Sequence, residues 1–441
     1  MRSEPFAETE APAFRVGYLV SQYPALSHAF IEREIRSLRA LGTAVETFSV
    51  RPALEHQLLT ATDREEAART TVLLRVPRLA RGALSVLARS PRAAAVGLIA
   101  ALRLPGGTSP RALLLRVAYF AEACALLGEL QSRSITHVHV HFANNAASVA
   151  HLAVRMGNCA GGLYSWSLTI HRPEAHGLGL EDDEARTAAA LLRRQLTNVS
   201  RVVCISEGCR DQVVAGVGPD IAGRASVVHM GIDTGAYTPA QSCPESGTDG
   251  TTRVLFVGRL VPAKAPHDLL TAFAAARDRL PMRLVLVGEG QLLESLQRQA
   301  EQLGLADAVQ FAGPVGQDEL PGHYRRADVF CLPSYTEGVP VVLMEAMASG
   351  VPVLTTTAGA ITELVRAEHN GLVVEPGDVD GIANGLRRLA LDRELRDRLG
   401  QAGRATVVAE FESRVVASQL SEVFAAAVVP QAKAQAGRAR R

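Results

Sequence analysis

The chain has 441 residues, which is enough for two domains of ordinary size, each with its own hydrophobic core. Its 46 lysines and arginines almost balance its 45 aspartates and glutamates, so no overall charge favours nucleic acid as a partner. The six cysteines are scattered without a C-x-x-C pair, which excludes a disulfide framework or a zinc ribbon and favours a reduced, cytoplasmic compartment.

The sequence predicts no membrane anchor. Acidic residues stand in the first ten positions, where a signal peptide has a basic region. The longest uncharged apolar run in the middle of the chain, from Ala93 to Leu102, is too short to cross a bilayer. We therefore expect a cytoplasmic protein, with the inner face of the membrane as an alternative location.

Short apolar runs alternate with helical patterns, which predicts an α/β fold with doubly wound parallel sheets. In the first half of the chain, a helix is expected over 28–41, and strands are expected at 14–20, 45–50, 136–141, 163–168, 201–205 and 225–229. These elements form a predicted first domain, residues 1–240, with an Arg-rich helical insertion at about 60–130.

The insertion has an unusual charge pattern. Residues 67–121 contain nine arginines and neither aspartate nor glutamate. One interpretation is a solvated helical pair whose arginine stems cover the core. The other is a surface that docks on anionic lipid, close to a membrane-bound acceptor.

The polar residues 241–252 predict a linker between domains. A second domain, 253–410, is expected to repeat the alternation, with strands near 253–258, 283–287, 308–311, 328–331, 352–354 and 371–374. Two helical patterns, at 393–409 and 413–428, follow. Residues 429–441 are basic and poor in apolar side chains, so we predict disorder there.

Two glutamates eight positions apart are the strongest functional signal. A helix predicted from Pro340 to about Ser349 places Glu337 in the preceding loop and Glu345 in the second turn. Apolar neighbours surround Glu345, so its charge needs a polar partner, and a ligand rich in hydroxyls would supply one. The plainer alternative is a capping acid followed by a solvated helix residue.

Two cations lie upstream of these glutamates. Arg259 and Lys264 follow a predicted strand that breaks at Gly258, and another helix follows them. A polar loop ending at Gly359 follows a later strand. Cations, helix N-termini and a small-residue loop at the carboxyl ends of parallel strands predict a diphosphate site.

These motifs resemble glycosyltransferase family 4, a family of retaining, nucleotide-sugar-dependent enzymes of the GT-B architecture. The resemblance is carried by Gly258-Arg259-Leu260 with Lys264, Val287-Gly288-Glu289-Gly290, Phe311-Ala312-Gly313, Pro333 to Gly338 and Ala346 to Gly350. More loosely, Ser21 to Phe30 and Val203 to Glu207 look like segments of the exopolysaccharide and colanic-acid members. The resemblance implies two Rossmann-like domains that face each other across a cleft, and a last helix, 411–428, that crosses back to the first domain.

The resemblance also implies roles for residues of the second domain. Glu337 would hold the hydroxyls of the donor sugar, and Glu345 would bind the nucleotide ribose. The residues assigned to the donor phosphates are Arg259, Lys264, Gly338 and Val339. The residues assigned to the nucleotide base region are Gly288, Gly290 and Val315. Because the two cations would neutralise the departing diphosphate, no metal ion or other cofactor is expected.

In the first domain, His171 is the candidate catalytic partner for the oxocarbenium-like centre of a retaining transfer. Many relatives have a glycine after this histidine, whereas Arg172 follows here, so His176-Gly177 stays an alternative. The residues assigned to the acceptor side of the cleft are Ser21, Ser27, His28, His141 and Asn144.

His137, His139 and His141 alternate along a predicted strand, so their imidazoles share one face. Such spacing is able to bind zinc or copper, but three histidines along a flat strand suit a tetrahedral site poorly. We therefore predict that the strand holds no metal and that its end, His141-Phe142-Ala143-Asn144, lines the cleft.

The sequence thus predicts a retaining glycosyltransferase that moves a sugar from a nucleoside diphosphate to a glycan or lipid-linked acceptor in cell-surface glycan synthesis. Its expected partners are that donor, that acceptor and an anionic membrane, without nucleic acid. Alternatives are transfer to a small-molecule acceptor, an epimerase or hydrolase of the same architecture, and a relative that binds nucleotide or glycan without turnover.

Overall fold

The computed structural model describes residues 15–25, 28–58, 60–178, 182–240, 250–278 and 280–438. The described residues divide into two compact units. The first unit runs to Val228 and resumes at Val416, and the second comprises His229–Val415. The first unit therefore ends before the predicted boundary at 240, and most of the predicted linker, 241–249, lies outside the described residues.

A parallel sheet of seven strands forms the centre of the first unit. Its strands are β1 (Arg15–Gln22), β2 (Ala44–Arg51), β3 (Thr71–Val72), β4 (His137–His141), β5 (Ser165–Ile170), β6 (Arg201–Cys204) and β7 (Ala225–Val227). They pair in the order β3-β2-β1-β4-β5-β6-β7. The order reverses between β1 and β4, and in doubly wound sheets ligands bind outside the carboxyl ends of the strands at such a point.

Helices separate these strands in sequence. They are α1 (Ala29–Ala40), α2 (Ala61–Arg69), α3 (Val76–Arg89), α4 (Pro91–Leu102), α5 (Pro110–Ser132), α6 (Asn145–Cys159), α7 (Asp183–Gln195) and α8 (Glu207–Val217). The Arg-rich insertion forms α3, α4 and the first half of α5, and the three helices pack against one another, with α3 contacting the second half of α5. Proline at the first turn of all three helices fits a position where the missing N–H is not needed.

The second unit has a parallel sheet of six strands. They are β8 (Thr252–Val257), β9 (Met282–Val287), β10 (Val309–Gly313), β11 (Val329–Leu332), β12 (Val353–Thr356) and β13 (Leu372–Val374). Their order is β10-β9-β8-β11-β12-β13, so the reversal lies between β8 and β11. The two sheets thus repeat one Rossmann-like pattern, which confirms the predicted fold class.

The helices from the second unit to the end of the chain are α9 (Pro266–Ala276), α10 (Leu293–Gln302), α11 (Leu320–Arg326), α12 (Val341–Ala348), α13 (Ile361–Leu364), α14 (Val379–Leu391), α15 (Arg393–Thr406) and α16 (Ser413–Arg438). Buried valine, leucine and phenylalanine side chains of the strands form the core of the unit with the inner faces of these helices. Strands that are covered on both faces are apolar almost throughout, as in β11.

Helix α16 contributes to the core of the first unit. Val416, Leu420 and Phe424 are buried against β1 and α1. The backbone of α16 continues as a helix to Arg438, whereas the sequence predicted disorder from 429. Alanine, glutamine, lysine and arginine, which dominate this segment, are all good helix formers, so low apolar content alone was a poor guide.

Strand β3 was not predicted. Thr71 and Val72 form only a two-residue strand at the edge of the sheet, paired with Phe48 and Ser49 of β2. Such a short strand has no alternation that would distinguish it from the surrounding helical pattern.

Across the described part of the chain, none of the helices combines the length and the apolar character needed to cross a membrane.

Candidate functional site

The reversal between β8 and β11 brings together the residues that the sequence singled out in the second unit. The loop after β8 carries Arg259 and Lys264, and the loop after β11 carries Glu337. The Lys264 ammonium forms an ion pair with Glu337 Oε1, although the two residues are 73 positions apart. Both side chains are largely buried, with exposed fractions of 19% for Lys264 and 7% for Glu337. A cation and a carboxylate predicted to bind one ligand therefore meet in space.

Further hydrogen bonds hold these two loops in place. The Ser334 hydroxyl donates to Glu337 Oε1 at 2.6 Å. The backbone N–H of Tyr335 donates to the carbonyl oxygen of Ala263 at 2.9 Å. The Tyr335 hydroxyl reaches Asp268 of α9 at 2.5 Å. Because backbone and side chains both connect the loops, the position of Glu337 relative to Lys264 is set before any ligand binds.

Arg259 lies on the surface, and among the described residues it forms no ion pair. The guanidinium is therefore available for a ligand anion, unlike the ammonium of Lys264. A delocalised guanidinium binds phosphate oxygens in pairs, whereas an ammonium acts as a point charge. The two cations therefore differ in exposure, one open and one covered by a carboxylate, and their binding of a diphosphate stays a prediction.

Glu345 is buried in the second turn of α12, with 2% of its surface exposed. Its Oε2 accepts a hydrogen bond of 2.8 Å from the hydroxyl of Tyr324 in α11. Burial and the neighbouring Glu345 raise the pKa of Tyr324 well above its ordinary value, so the phenol keeps its proton and stays a donor. The polar partner that the sequence required is thus a tyrosine, and the role of Glu345 at a ribose stays a prediction.

The plainer interpretation of the two glutamates is wrong. Glu345 is not solvated, and Glu337 does not cap α12, whose N-cap residue is Pro340 without a side-chain hydrogen bond. Gly338 and Val339 precede this N-cap, and the helix then begins with N–H groups that have no partner within the helix. The N-terminus of α12 is therefore suited to a phosphate or sugar oxygen, and phosphate binding by Gly338 and Val339 stays a prediction.

Two glycines allow the turn after β9 to approach the loop after β8. A Cβ atom on Gly288 would lie 2.0 Å from the carbonyl oxygen of Gly258, and one on Gly290 would lie 2.4 Å from that of Leu260. Both glycines have positive φ angles, of +136° and +158°. The turn therefore packs closely against the backbone on both sides of Arg259. Val315 is half-buried against the hydrophobic core. Contact with a nucleotide base stays a prediction for these three residues.

Gly359 is a third glycine that allows a close approach of two backbone segments. Its φ angle is +59°, and a Cβ atom there would lie 1.9 Å from the carbonyl oxygen of Glu337. We expect Gly359→Ala to displace the Glu337 loop, to lower the stability by about 1–3 kcal/mol and to impair ligand binding. Urea unfolding and nucleotide titration measure both effects. Gly304→Ala is the matched control, because Gly304 has a φ angle of +67° but open space around it. Equal effects of both variants would contradict a specific role for the contact.

In the first unit, His171 follows β5 and belongs to a hydrogen-bond network at the reversal between β1 and β4. Its Nε2 lies 3.1 Å from Nδ1 of His141, whose Nε2 lies 3.0 Å from Oε1 of Glu34. The Tyr18 hydroxyl donates to the same carboxylate oxygen at 2.7 Å. Burial, followed by the neighbouring histidines, lowers the pKa of His171 well below its ordinary value. The imidazole of His171 is therefore neutral.

His137 and His139 are fully buried and pair with hydroxyls of β5. His137 contacts Ser165 at 2.8 Å and Ser167 at 2.9 Å, and His139 contacts Ser167 at 2.8 Å and Thr169 at 3.0 Å. Burial lowers the pKa of His137 to about 3, so this ladder is uncharged. The register of β4 on β5 places a hydroxyl beside each ring, so the ring nitrogens of both histidines are engaged within the sheet. The lining of a cleft by His141 to Asn144 stays a prediction.

Glu34, His139 and His141 form a candidate metal centre, since their ligand atoms lie within 4.8 Å of one another. Both ring nitrogens of each histidine already have hydrogen-bond partners. A metal ion would have to displace these partners, so the residues fit a hydrogen-bonded network better than a metal. The prediction that the protein works without metal stays open to test.

The remaining acceptor-side candidates are mostly engaged in local structure. Ser21 hydrogen-bonds Asn145, and His28 Nδ1 donates to the carbonyl oxygen of Gln22 at 3.1 Å. The Asn144 side chain caps α6, because it accepts from the N–H of Ala146 at 3.0 Å. Ser27 lies outside the described residues. His176 lies in a short 3-10 turn, so the choice between it and His171 stays a prediction.

Three hydrogen-bond partners, two of them fully buried, were missed by sequence reasoning. They are Tyr18, Glu34 and Tyr324, each of which lies far along the chain from the residue it serves. No local pattern marks them. Ser334 lies in the motif from Pro333 to Gly338, so the sequence contained a signal for it, but no role was predicted for its hydroxyl.

The match to a known protein family lies in the part of the chain that contains the second unit. Residues 244–406 match the family model described as "Glycosyl transferases group 1". A GDP-mannose-dependent α-(1-6)-phosphatidylinositol monomannoside mannosyltransferase of Mycobacterium tuberculosis is 34% identical over 248 residues, which is 53% of this chain and 64% of that protein. A D-inositol 3-phosphate glycosyltransferase of Corynebacterium jeikeium is 37% identical over 190 residues, 40% of this chain and 45% of that protein. The chain thus spans less than two thirds of these relatives.

Solved structures share the fold of nearly the whole chain. Anabaena HepE in complex with UDP matches with a TM-score of 0.68 at 18% identity, over 93% of this chain and 100% of that one. Sucrose-phosphate synthase from Thermosynechococcus elongatus matches with a TM-score of 0.66 at 20% identity, over 93% of this chain and 98% of that one. At such identities the likeness shows the fold alone, and that fold is GT-B.

Proposed function

We propose that this chain, whose residues 244–406 belong to the glycosyl transferases group 1 family, transfers a sugar from a nucleoside diphosphate to a glycan or lipid-linked acceptor. The observation that carries the proposal is the Lys264–Glu337 ion pair at the reversal between β8 and β11, beside the N-terminus of α12. A cation, a hydroxyl-binding carboxylate and free helix N–H groups at one point are what a sugar diphosphate requires.

The chemistry follows from these charges. When the bond between sugar and diphosphate breaks, negative charge develops on the phosphate oxygens, and Arg259 and Lys264 stabilise it. Glu337 holds the sugar hydroxyls, so the anomeric carbon is positioned for the acceptor. Two cations and the N-terminus of α12 supply the positive charge that a divalent metal supplies elsewhere, so we propose transfer without metal.

The first experiment is a thermal unfolding titration of the protein with UDP-, GDP- and ADP-sugars in the presence of a chelator. A ligand that binds only the folded state raises the free energy of unfolding, by about 2.7 kcal/mol at 100 times its Kd, and so raises the unfolding temperature. We expect one class of base to raise it. If no nucleotide raises it in chelator but one does with Mg²⁺, the metal-free proposal is wrong. If none raises it under either condition, the donor site itself is wrong.

The name of one matched relative supports a lipid-linked acceptor, because it specifies a phosphatidylinositol monomannoside. Another relative is named for D-inositol 3-phosphate, a small molecule, which favours the alternative of a small-molecule acceptor. We propose an acceptor at the inner face of the membrane because the first unit also carries a surface suited to lipid.

That surface is the helical layer of α3, α4 and α5. Leu84 of α3, Ile99 of α4 and Leu114 of α5 are 67%, 49% and 70% exposed, and further apolar residues lie next to them at helical spacing. The exposed arginines in the same segment are Arg75, Arg81, Arg89, Arg92, Arg103 and Arg111. No acid lies between 67 and 121. In the second half of α5, Glu122 is buried and Glu129 pairs with Arg78, so the exposed charge of this layer is mainly positive and complements anionic lipid.

The docking of this layer is tested by co-sedimentation with phosphatidylcholine vesicles that contain or lack phosphatidylglycerol. We expect binding only to the anionic vesicles, and each of Arg92→Gln and Arg103→Gln should weaken it by about 1 kcal/mol. Leu114→Gln should weaken it as well, because it removes apolar contact. Leu391→Gln is the matched control, because Leu391 is a 72% exposed leucine in the second unit. Equal binding to both vesicles, or equal losses for Leu114 and Leu391, would contradict this proposal.

A further inference from the structure

A chain of four side chains runs through the buried centre of the first unit and ends at His171. The order is Tyr18, Glu34, His141, His171, with separations of 2.7, 3.0 and 3.1 Å between the hydrogen-bonding atoms. Tyr18 is fully buried, the His141 side chain is 1% exposed and the Glu34 side chain is 16% exposed. Of these residues, only His141 and His171 were candidates from sequence.

The donor and acceptor properties of these four groups fix which group donates in each hydrogen bond. A carboxylate only accepts hydrogen bonds, so Tyr18 donates its proton and His141 donates from Nε2. A neutral His141 with its proton on Nε2 has a lone pair on Nδ1. His171 must then donate from Nε2, since this nitrogen faces that lone pair. The remaining nitrogen of His171, Nδ1, is left without a proton.

The surroundings of His171 keep it neutral and oriented. The rings of Phe142 and Phe30 lie 4.7 and 4.9 Å from the His171 ring, between centroids. Phe142 has a φ angle of +68°. Residues other than glycine rarely adopt this backbone conformation, and those that do are enriched at functional sites. Burial lowers the pKa of His171, and the nearby His141 and His28 lower it further. Among the described residues, Nδ1 of His171 has no hydrogen-bond partner, and the residue is only half-buried, so a ligand hydroxyl is a candidate partner for this nitrogen.

We propose that Glu34 is a positioning residue that acts through His141 to fix the tautomer of His171, so that Nδ1 of His171 accepts a hydrogen bond from a sugar hydroxyl. The identity of the ligand rests on the proposed sugar transfer, whereas the tautomer does not. Without an acceptor at position 34, His141 is free to carry its proton on Nδ1. His171 would then accept at Nε2 and carry its own proton on Nδ1. A protonated Nδ1 has no lone pair, so it could not accept a hydrogen bond from the ligand.

Nitrogen-15 NMR of histidine-labelled protein tests the tautomer directly, because protonated and unprotonated ring nitrogens resonate far apart. In the unsubstituted chain, we expect the proton of His171 on Nε2. Glu34→Met, which has a similar shape without an acceptor, should produce the other tautomer or a mixture and lower the transfer rate by about 10- to 100-fold, as the loss of comparable outer partners of histidine does. Glu34→Gln keeps an oxygen acceptor and should restore the tautomer and most of the rate.

Glu32→Met is the matched control, since Glu32 lies on the same helix, pairs with Arg36 and is outside the chain of four. A proton on Nδ1 of His171 in the unsubstituted chain, as a cationic His141 would impose, overturns the proposal. An unchanged tautomer and rate in Glu34→Met overturns it too. If Glu34→Met does not fold, Glu34→Leu, which also lacks an acceptor, takes its place, and an unchanged tautomer and rate in that variant overturn the proposal. Absence of any sugar transfer would refute the proposed function but leave the tautomer measurable.

Discussion

Replacement of Glu337 by alanine is expected to reduce sugar transfer by about 100-fold or more, while binding of the nucleoside diphosphate stays measurable. The carboxylate is predicted to hold the sugar, so its loss removes contacts that orient the anomeric carbon. Its loss also frees the ammonium of Lys264, which pairs with Glu337 in the present structure. The affinity for the diphosphate alone should therefore stay equal or rise. Initial rates with the donor found by thermal titration, and calorimetry with the matching diphosphate, measure the two quantities.

Glu410→Ala is the matched control for this variant, because Glu410 pairs with Arg366 at 3.0 Å on the surface of the same unit. It should change neither transfer nor diphosphate affinity. Transfer that is unchanged in Glu337→Ala would remove the central residue of the proposed site. A loss of diphosphate affinity as large as the loss of transfer would instead place Glu337 at the phosphates.

Replacement of Lys264 by alanine is expected to weaken binding of the nucleoside diphosphate by about tenfold to a hundredfold, which corresponds to about 1.5–3 kcal/mol for a charge-assisted hydrogen bond. Binding of the nucleoside without phosphates should change little. The expectation follows from charge, since the ammonium has a phosphate to bind only in the first ligand. Calorimetric titration of both ligands gives the difference.

This second variant also leaves Glu337 largely buried without its cation, so a loss of stability is expected beside the loss of affinity. Urea unfolding separates the two effects. Arg277→Ala provides the control, because Arg277 forms an ion pair of 3.0 Å with Asp307 away from the candidate site. Equal losses for the diphosphate and the nucleoside would mean that the phosphates lie elsewhere.

Sequence alone was sufficient to predict the fold class and the main elements, because their signals are local. Apolar strands such as β8 and β11 are continuous runs that alternate with helical patterns, and Pro340 marks the start of α12 within one residue. The same locality explains why Arg259, Lys264 and Glu337 were found. Each lies in the segment that follows a strand, and the carboxyl ends of neighbouring parallel strands lie at one edge of a sheet.

Local sequence patterns are thus enough for the alternation of strands and helices, the loops that carry charged residues and the charge pattern of residues 67–121. The partner of each buried group, in contrast, depends on how distant elements pack. The tertiary structure pairs Lys264 with Glu337, buries Glu345 against Tyr324 and links His171 through His141 to Glu34. The physical reason is that a buried charge or imidazole takes its partner from whichever element packs beside it. Strand order and register set that neighbour, across dozens of residues that no local pattern connects.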